Sequence, residues 1–364
     1  MDETSAIRRL LNDVARGHRL SSSEALRLLQ VQGRIVWEIA AVADAVREER
    51  AGEVITYVRN QNINVTNLCV NSCGFCGFSK KPGDPGVYHL TKEEVGEKAA
   101  LADKRGVTEI CTVSGLHPAF TARSYLDILS WIREKAPRVH IHASNPMEVA
   151  YAAAKSGWST ERVLQEMKQA GLDSLCGTAA EILDDQVRQV LCPQKINTAT
   201  WVSIIREAHA LGIPTTATIM YGAFEDNSAR IRHLEIIRHI QDETGGFTEF
   251  VPLSYVHLNT PLFRSGIARG GATGREDLLM YAVSRLFLDN IRNLQVSWVK
   301  LGTKLAQLGL LAGANDLGGT LYEESISKGA GARNSEYLDP EDMRRIAEDL
   351  GRPLRQRTTL YRLI

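Results

Sequence analysis

The sequence predicts an α/β chain whose main part closes into a (β/α)8 barrel, with a helical segment before it and an extension after it. Three observations carry this expectation. From about residue 54 onward, eight short, β-branched apolar runs alternate with longer amphipathic stretches, the pattern of parallel strands joined by helices. The carboxyl ends of those runs are conspicuously polar, as they are where the strands of a barrel converge on one mouth. Before residue 54 the texture differs, being rich in Ala, Leu, Glu and Arg with apolar positions at helical intervals.

Taken in order, Leu28, Val31, Ile35 and Ile39 mark the apolar face of the leading segment, residues 1–53. The barrel is expected over 54–318, with strands at 63–67, 108–115, 139–145, 174–178, 215–221, 248–255, 294–299 and 310–315. Helices fit between them: 91–104 opens on a Thr91-x-x-Glu94 capping box, and Tyr125, Ile128, Leu129 and Ile132 form one face of the next. Further helical patterns lie near 159–170, 198–211, 228–242 and 275–292, and the Gly-rich stretch 269–274 reads as a surface loop. Eight strand and helix units favour a closed barrel of the TIM type over an open doubly wound sheet. Residues 319–364 form the extension, either a lid across the mouth or a cap packed on the barrel.

Lys plus Arg number 43 and Asp plus Glu number 43, so the whole molecule exerts little net pull on nucleic acid or an anionic membrane. The opening MDETSAIRRLLND lacks the apolar core of a secretory signal, and no run of 18 apolar residues occurs, so neither export nor a membrane span is expected. A cytoplasmic location follows. Six cysteines are too few for a disulfide-dense scaffold of 364 residues, and three of them crowd into eight positions, which favours metal ligation in a reducing compartment.

Those three are Cys69, Cys73 and Cys76, spaced C-x3-C-x2-C just after the first expected strand. Three thiolates on one tight loop can hold three irons of a 4Fe-4S cubane, and Gly74 and Gly77 let the backbone wrap closely around it. The fourth iron is then open to the amino and carboxylate groups of S-adenosyl-L-methionine. Phe75 and Phe78 would shield the cluster. The alternative is structural zinc, which wants four ligands in paired C-x2-C spacing; His89 is the best spare ligand. Cys111, Cys176 and Cys192 lie singly and read as ordinary core residues.

The cysteine loop resembles the hallmark of the radical S-adenosylmethionine superfamily. Further stretches, among them INVTNLC, TEICTVSGLHP, HIHASNPMEV, GTAAEIL, LCPQK, TGGFTEFVPLSY, GANDLGGTLYEESIS and QRTTLY, are most similar to its CofH family of deazaflavin synthase subunits, and less so to the aminofutalosine synthase, the dehypoxanthine futalosine cyclase and CofG. The resemblance implies a transferase that cleaves the side chain of L-tyrosine, joins the 4-hydroxybenzyl fragment to 5-amino-6-(D-ribitylamino)uracil and releases 2-iminoacetate, toward the chromophore of coenzyme F-420. It implies CofG as functional partner and a flavodoxin or ferredoxin as electron donor. Two positions depart from the wider pattern: Ser114-Gly115-Leu116 stands where many superfamily members carry Gly-Gly-Glu, and Gly77 where many relatives carry Ala.

The strand ends supply the remaining candidates. Ser114, Gly115, Thr178 and Glu181 are expected to contact S-adenosylmethionine, although Glu181 fits equally well as an acid at a helix N-terminus. Lys195 can pair with the methionine carboxylate or stand solvated in its loop. His117 and His142 are the catalytic candidates, able to carry a proton near neutral pH or to serve as hydrogen-bonded structural residues. By the period of two, His140 shares a face with His142. Ser144, Asn145, Asn315 and Asp316 offer the donors and acceptors that a polyhydroxylated substrate needs.

Overall fold

The computed structural model describes residues 3–334 and 336–364. Its strands are β1 (Ile55–Val58), β2 (Asn60–Asn62), β3 (Glu109–Thr112), β4 (His140–Ala143), β5 (Ser174–Leu175), β6 (Thr215–Tyr221), β7 (Phe247–Ser254), β8 (Asp316–Gly319) and β9 (Leu354–Arg357). β2 to β7 pair in sequence order, and β1 lies between β8 and β9. All pairings in both sheets are parallel. Single parallel bridges continue the curl, from Phe250 to Leu294, from Gln295 to Asp316, and from Tyr322 back to Gln61. The result is a curled parallel barrel, as expected, with its helices outside. β6 is buried at every position, as a strand covered on both faces should be.

Most of the expected helices form. Lys92–Lys104 carries its capping box at Thr91 and Glu94. Ala122–Lys135 buries Tyr125, Ile128, Leu129 and Ile132, and Thr160–Gln169, Thr198–Ala210 and Asn227–Thr244 fall where the apolar period puts them. The leading segment folds as three helices, Glu3–Ala15, Ser22–Gln30 and Ile35–Ala51, and the last two pack on the helix Gly274–Phe287. That partner is buried from Asp277 through Phe287, since it has the barrel on one side and the leading helices on the other.

Three strand expectations need correction. The first barrel strand runs through β1 and β2, and residues 63–67 are its outward continuation. Asn60-Gln61-Asn62 carries no apolar or β-branched residue, yet the strand is buried because partners meet its amides: Asn60 Nδ2 donates to Glu109 at 3.1 Å and Gln61 Oε1 accepts from Arg105 at 2.5 Å. Residues 310–315 are not a strand. Leu310 ends the helix Thr303–Leu310, and the last barrel strand starts at Asp316; a short apolar run does not by itself distinguish helix from strand. Residues 294–299 contribute only bridges at Leu294 and Gln295 before the short helix Trp298–Leu301.

The extension serves both ends of the barrel. The expected boundary between residues 318 and 319 falls inside β8. Beyond it, Ile326, Ser327 and Ala330 reach over the mouth. The chain then runs through the helix Pro340–Asp349 to β9, which pairs with β1 at the opposite end.

Candidate active site

The site grows from the loop that follows β2. The backbone leaves the barrel still paired, Ile63 N–H to Cys111 O at 2.9 Å and Gly115 N–H to Thr66 O at 2.8 Å, and then turns through the three cysteines. All three thiols are free and line one mouth cavity. Lys81 holds the first turn of the loop, its ammonium donating to Cys69 O at 2.8 Å, Val70 O at 3.1 Å and Asn71 O at 2.9 Å. An apolar nest that includes Leu191, Met220, Tyr255 and Leu262 surrounds Cys73. Burial there pushes its thiol up to about 12, with Lys195 pulling the other way. Two close approaches depend on missing side chains: a Cβ on Gly74 would meet Leu262 Cδ1 at 2.7 Å, and one on Gly77 would meet Ala330 Cα at 2.6 Å.

The walls come from the neighbouring strand ends. Ser114 Oγ accepts from Val65 N–H at 2.8 Å, and the Leu116 N–H points at Cys69 Sγ from 3.4 Å. A Cβ on Gly115 would lie 2.5 Å from Leu68 O, so this strand end can press on the cysteine loop only as glycine. Ala179 and Glu181 both have positive φ, 63° and 45°, which is costly for residues with side chains. Buried Arg188 stabilises that segment by donating to Ala179 O at 3.3 Å, Ala180 O at 2.5 Å and Ile182 O at 3.2 Å. Glu181 is not at a helix N-terminus, because the next helix, Asp185–Leu191, is capped by Asp184. It pairs instead with Lys195 at 2.6 Å. Burial opposes the Lys195 charge, but Glu181 and the thiols of Cys73 and Cys192 outweigh it and raise the ammonium above its ordinary range.

Ser114, Gly115, Asn145, Thr178 and Glu181 therefore line the same cavity as the cysteines. Three lining side chains have a buried polar atom without a hydrogen-bond partner: Asn71 Nδ2, Glu148 Oε2 and Thr178 Oγ1. Buried polar atoms are normally satisfied, so these three leave hydrogen-bonding capacity unmet beside the cavity. Two of the wall's charged groups carry no role in the sequence reading. Lys300, lowered by burial against the pull of Glu324 and Glu181, donates to Ser327 Oγ at 2.9 Å. Glu148 is the third residue of the helix Pro146–Ser156, which Asn145 caps. The Asn145-Pro146 start was its available signal, since it fixes a helix immediately after β4.

Other candidates are elsewhere. His117 stacks between His89 and Phe120, with centroids at 4.7 and 4.8 Å, and its Nδ1 accepts from Ala119 N–H. His142 is buried inside the barrel, and both it and His140 meet Ser174 Oγ at 2.7 Å. The shared face is thus observed, but burial lowers His142 to about 4, so it is neutral and outside the cavity lining. Ser144 is buried behind the wall with φ 56°. Asn315 and Asp316 are not at the mouth, because β8 begins rather than ends there. Asn315 accepts from Arg285 at 2.8 Å and Asp316 from Arg357 at 2.5 Å, at the amino end of the barrel.

The donor set suits an iron-sulfur cubane. The three thiols sit on one loop beside shielding Phe75 and Phe78, and polar walls face them across the cavity. Known proteins agree. The Radical SAM superfamily model matches residues 63–237, and the CofH/MqnC C-terminal region matches 244–363. The chain is 69% identical over 352 residues, 97% of its own length and 96% of the relative's, to the 5-amino-6-(D-ribitylamino)uracil–L-tyrosine 4-hydroxyphenyl transferase of Methanosphaerula palustris. It is 65% identical to the transferase of the same name from Methanoculleus marisnigri over 98% of each chain. Among solved structures, methylornithine synthase has the same fold with a TM-score of 0.73 at 19% identity, covering 95% of this chain and 97% of that one. The hydrogenase maturase HydG of Carboxydothermus hydrogenoformans gives 0.76 at 16%, covering 98% and 81%. The chain belongs to the radical S-adenosylmethionine superfamily and, within it, to the 5-amino-6-(D-ribitylamino)uracil–L-tyrosine 4-hydroxyphenyl transferase family.

Proposed function

We propose that the protein cleaves the Cα–Cβ bond of L-tyrosine and transfers the 4-hydroxybenzyl fragment to 5-amino-6-(D-ribitylamino)uracil, releasing 2-iminoacetate, in assembly of a deazaflavin. The observation that carries this reading is 69% identity across nearly the whole chain to a transferase of that name. Cys69, Cys73 and Cys76 would hold a 4Fe-4S cluster. When bound, the cluster supplies one electron to the sulfonium of S-adenosylmethionine, which releases a 5'-deoxyadenosyl radical.

The chain's own residues bind, orient and exclude. Thr178 and Glu181 present a hydroxyl and a carboxylate to the cofactor, with Glu181 held in place by Lys195 at 2.6 Å. Ser114 and Gly115 form the wall against the cysteine loop. Asn145 and Lys300 offer polar contacts to substrate, and the segment carrying Ile326, Ser327 and Ala330 limits entry of water. A reducing cytoplasm fits six free thiols. A flavodoxin or ferredoxin would deliver the electron, and CofG would close the ring.

The test is anaerobic incubation of the reconstituted, reduced protein with S-adenosylmethionine, tyrosine and the ribitylaminouracil, with mass detection of products. The 4-hydroxybenzyl adduct and 5'-deoxyadenosine are expected. Turnover of aminofutalosine or dehypoxanthine futalosine in place of these substrates would overturn the assignment.

A further inference from the structure

We propose that Glu148 accepts the α-ammonium group of an amino-acid ligand held in the mouth cavity. The proposal rests on the function above, in which tyrosine enters with a free α-ammonium, whereas the amino group of S-adenosylmethionine belongs at the open iron. Glu148 is 2% exposed and lies in the cavity wall with Ser114, Asn145 and Met147. One carboxylate oxygen accepts from the Ser114 N–H at 3.2 Å. The other makes no hydrogen bond in the protein.

Helix capping accounts for part of this placement, since the Asn145 N–H reaches back to the Glu148 carboxylate, but it leaves one oxygen without a partner. Asn145 already caps the helix, its Oδ1 accepting from Met147 N–H at 3.0 Å and Glu148 N–H at 3.1 Å. Complementing the helix dipole does not require that an acid be buried. Glu148 instead bears the full cost of burial, which pushes its carboxyl up to about 8 despite the pull of the Ser114 N–H, Lys195 and the Asn145 N–H. An open oxygen on such a group is unfavourable until a donor reaches it.

The protein's nearby cations are already engaged, Lys195 with Glu181 at 2.6 Å and Lys300 with Ser327 at 2.9 Å. The missing donor therefore comes from the ligand, and a cationic N–H group both donates to the open oxygen and favours the ionised form of a carboxyl that burial alone would hold neutral. Its position is also defined. The Ser114 N–H bound by Glu148 belongs to the strand end whose Leu116 N–H points at Cys69, so the ammonium would sit beside the cysteine loop.

Calorimetric titration of the anaerobically reconstituted full-length protein tests this without reference to turnover. Tyrosine is compared with 3-(4-hydroxyphenyl)propanoate, which lacks the amino group, and S-adenosylmethionine serves as the control ligand. Glu148→Gln is expected to weaken tyrosine about 10- to 100-fold and to leave 3-(4-hydroxyphenyl)propanoate and S-adenosylmethionine unchanged. Should that variant not fold, Glu148→Asp, which keeps the charge but withdraws it by one methylene, is expected to narrow the preference for ligand over analogue. Unchanged preference in a folded variant, or equal weakening of ligand and analogue, overturns the proposal while leaving the function standing. Wild-type protein that bound neither natural ligand would overturn both.

Discussion

Lys81 directs its ammonium at three consecutive carbonyls, those of Cys69, Val70 and Asn71, and so fixes the backbone from which the first thiol projects. Hydrogen bonds to a charged donor contribute roughly 1.5–3 kcal/mol each, so Lys81→Met is expected to loosen the loop rather than unfold the barrel. Reconstituted variant should carry less than half the wild-type iron and sulfide per chain and lose iron faster to a chelator; full occupancy with unchanged release would show that the clamp is idle. His233 makes a second single-residue case. It is buried on the helix Asn227–Thr244, its Nδ1 accepts from Leu183 N–H at 3.0 Å, and burial lowers it to about 3, with the Thr218 backbone opposing. Because its folded value lies below the unfolded one, the stability gained from the neutral ring is present above about pH 6.5 and lost as pH falls toward 3. The advantage of wild type over His233→Gln in urea unfolding should therefore shrink by up to about 1.4 kcal/mol per pH unit below 6.5. Among the residues that line the mouth cavity, the sequence singled out those tied to a motif or a strand end, Cys69, Cys73, Cys76, Ser114, Gly115, Asn145, Thr178 and Glu181. Glu148 and Lys81 were not legible, since a carboxylate on a helix and a lysine in a loop are ordinarily solvated, and only their tertiary partners distinguish them.

The segment 320–334 covers the mouth and depends on close backbone contact with the cysteine loop. Gly77 is the point of contact, where a Cβ would meet Ala330 Cα at 2.6 Å and the carbonyl carbon of Gly329 at 2.8 Å. A methyl group at this position overpacks the contact and must push the cover away. Gly77→Ala is expected to cost about 1–3 kcal/mol and to increase proteolysis within 323–334, where Glu324 Oε1 accepts from Ser327 N–H and Ser325 Oγ donates to Asn64 Oδ1 at 2.9 Å each. Cleavage at the wild-type rate in the variant would refute the contact. The helices were readable because their caps and apolar faces are local, as in Lys92–Lys104 with Thr91 and Glu94. The strand Asn60–Asn62 was not, because its amides become strand-compatible only when Glu109 and Arg105 arrive from distant positions.

At the opposite end, the chain's last strand pairs alongside its first, with Ile55 opposite Leu354 and Val58 opposite Arg357. No local signal announces a pairing between residues so far apart, so the extension's second half could be read only as a generic cap. Its chemistry explains the arrangement. Arg357 is 1% exposed and donates to Asp316 Oδ2 at 2.5 Å, Asp316 Oδ1 at 3.0 Å and Glu249 Oε2 at 3.2 Å, while Thr56 also donates to Asp316 and Tyr361 to Glu249. The Arg357 guanidinium lies over the Tyr361 ring at 3.9 Å. These groups close the floor beneath the interior histidines, where burial raises Glu249 to about 7 even with Arg357 opposing. Removing the arginine leaves two buried carboxylates without their counter-charge, a loss of about 3–5 kcal/mol. Arg357→Leu is therefore expected to lower the melting temperature of the whole chain, although none of the mouth residues is touched. The deficit should also depend on pH. A carboxyl whose folded value exceeds its unfolded value is stabilised in its protonated form, so the variant recovers stability as pH falls from 8 toward 5 and loses it as pH rises. Calorimetric melting at pH 8 and pH 5 decides the matter: a deficit independent of pH would mean that packing, not charge, is what Arg357 contributes to the floor.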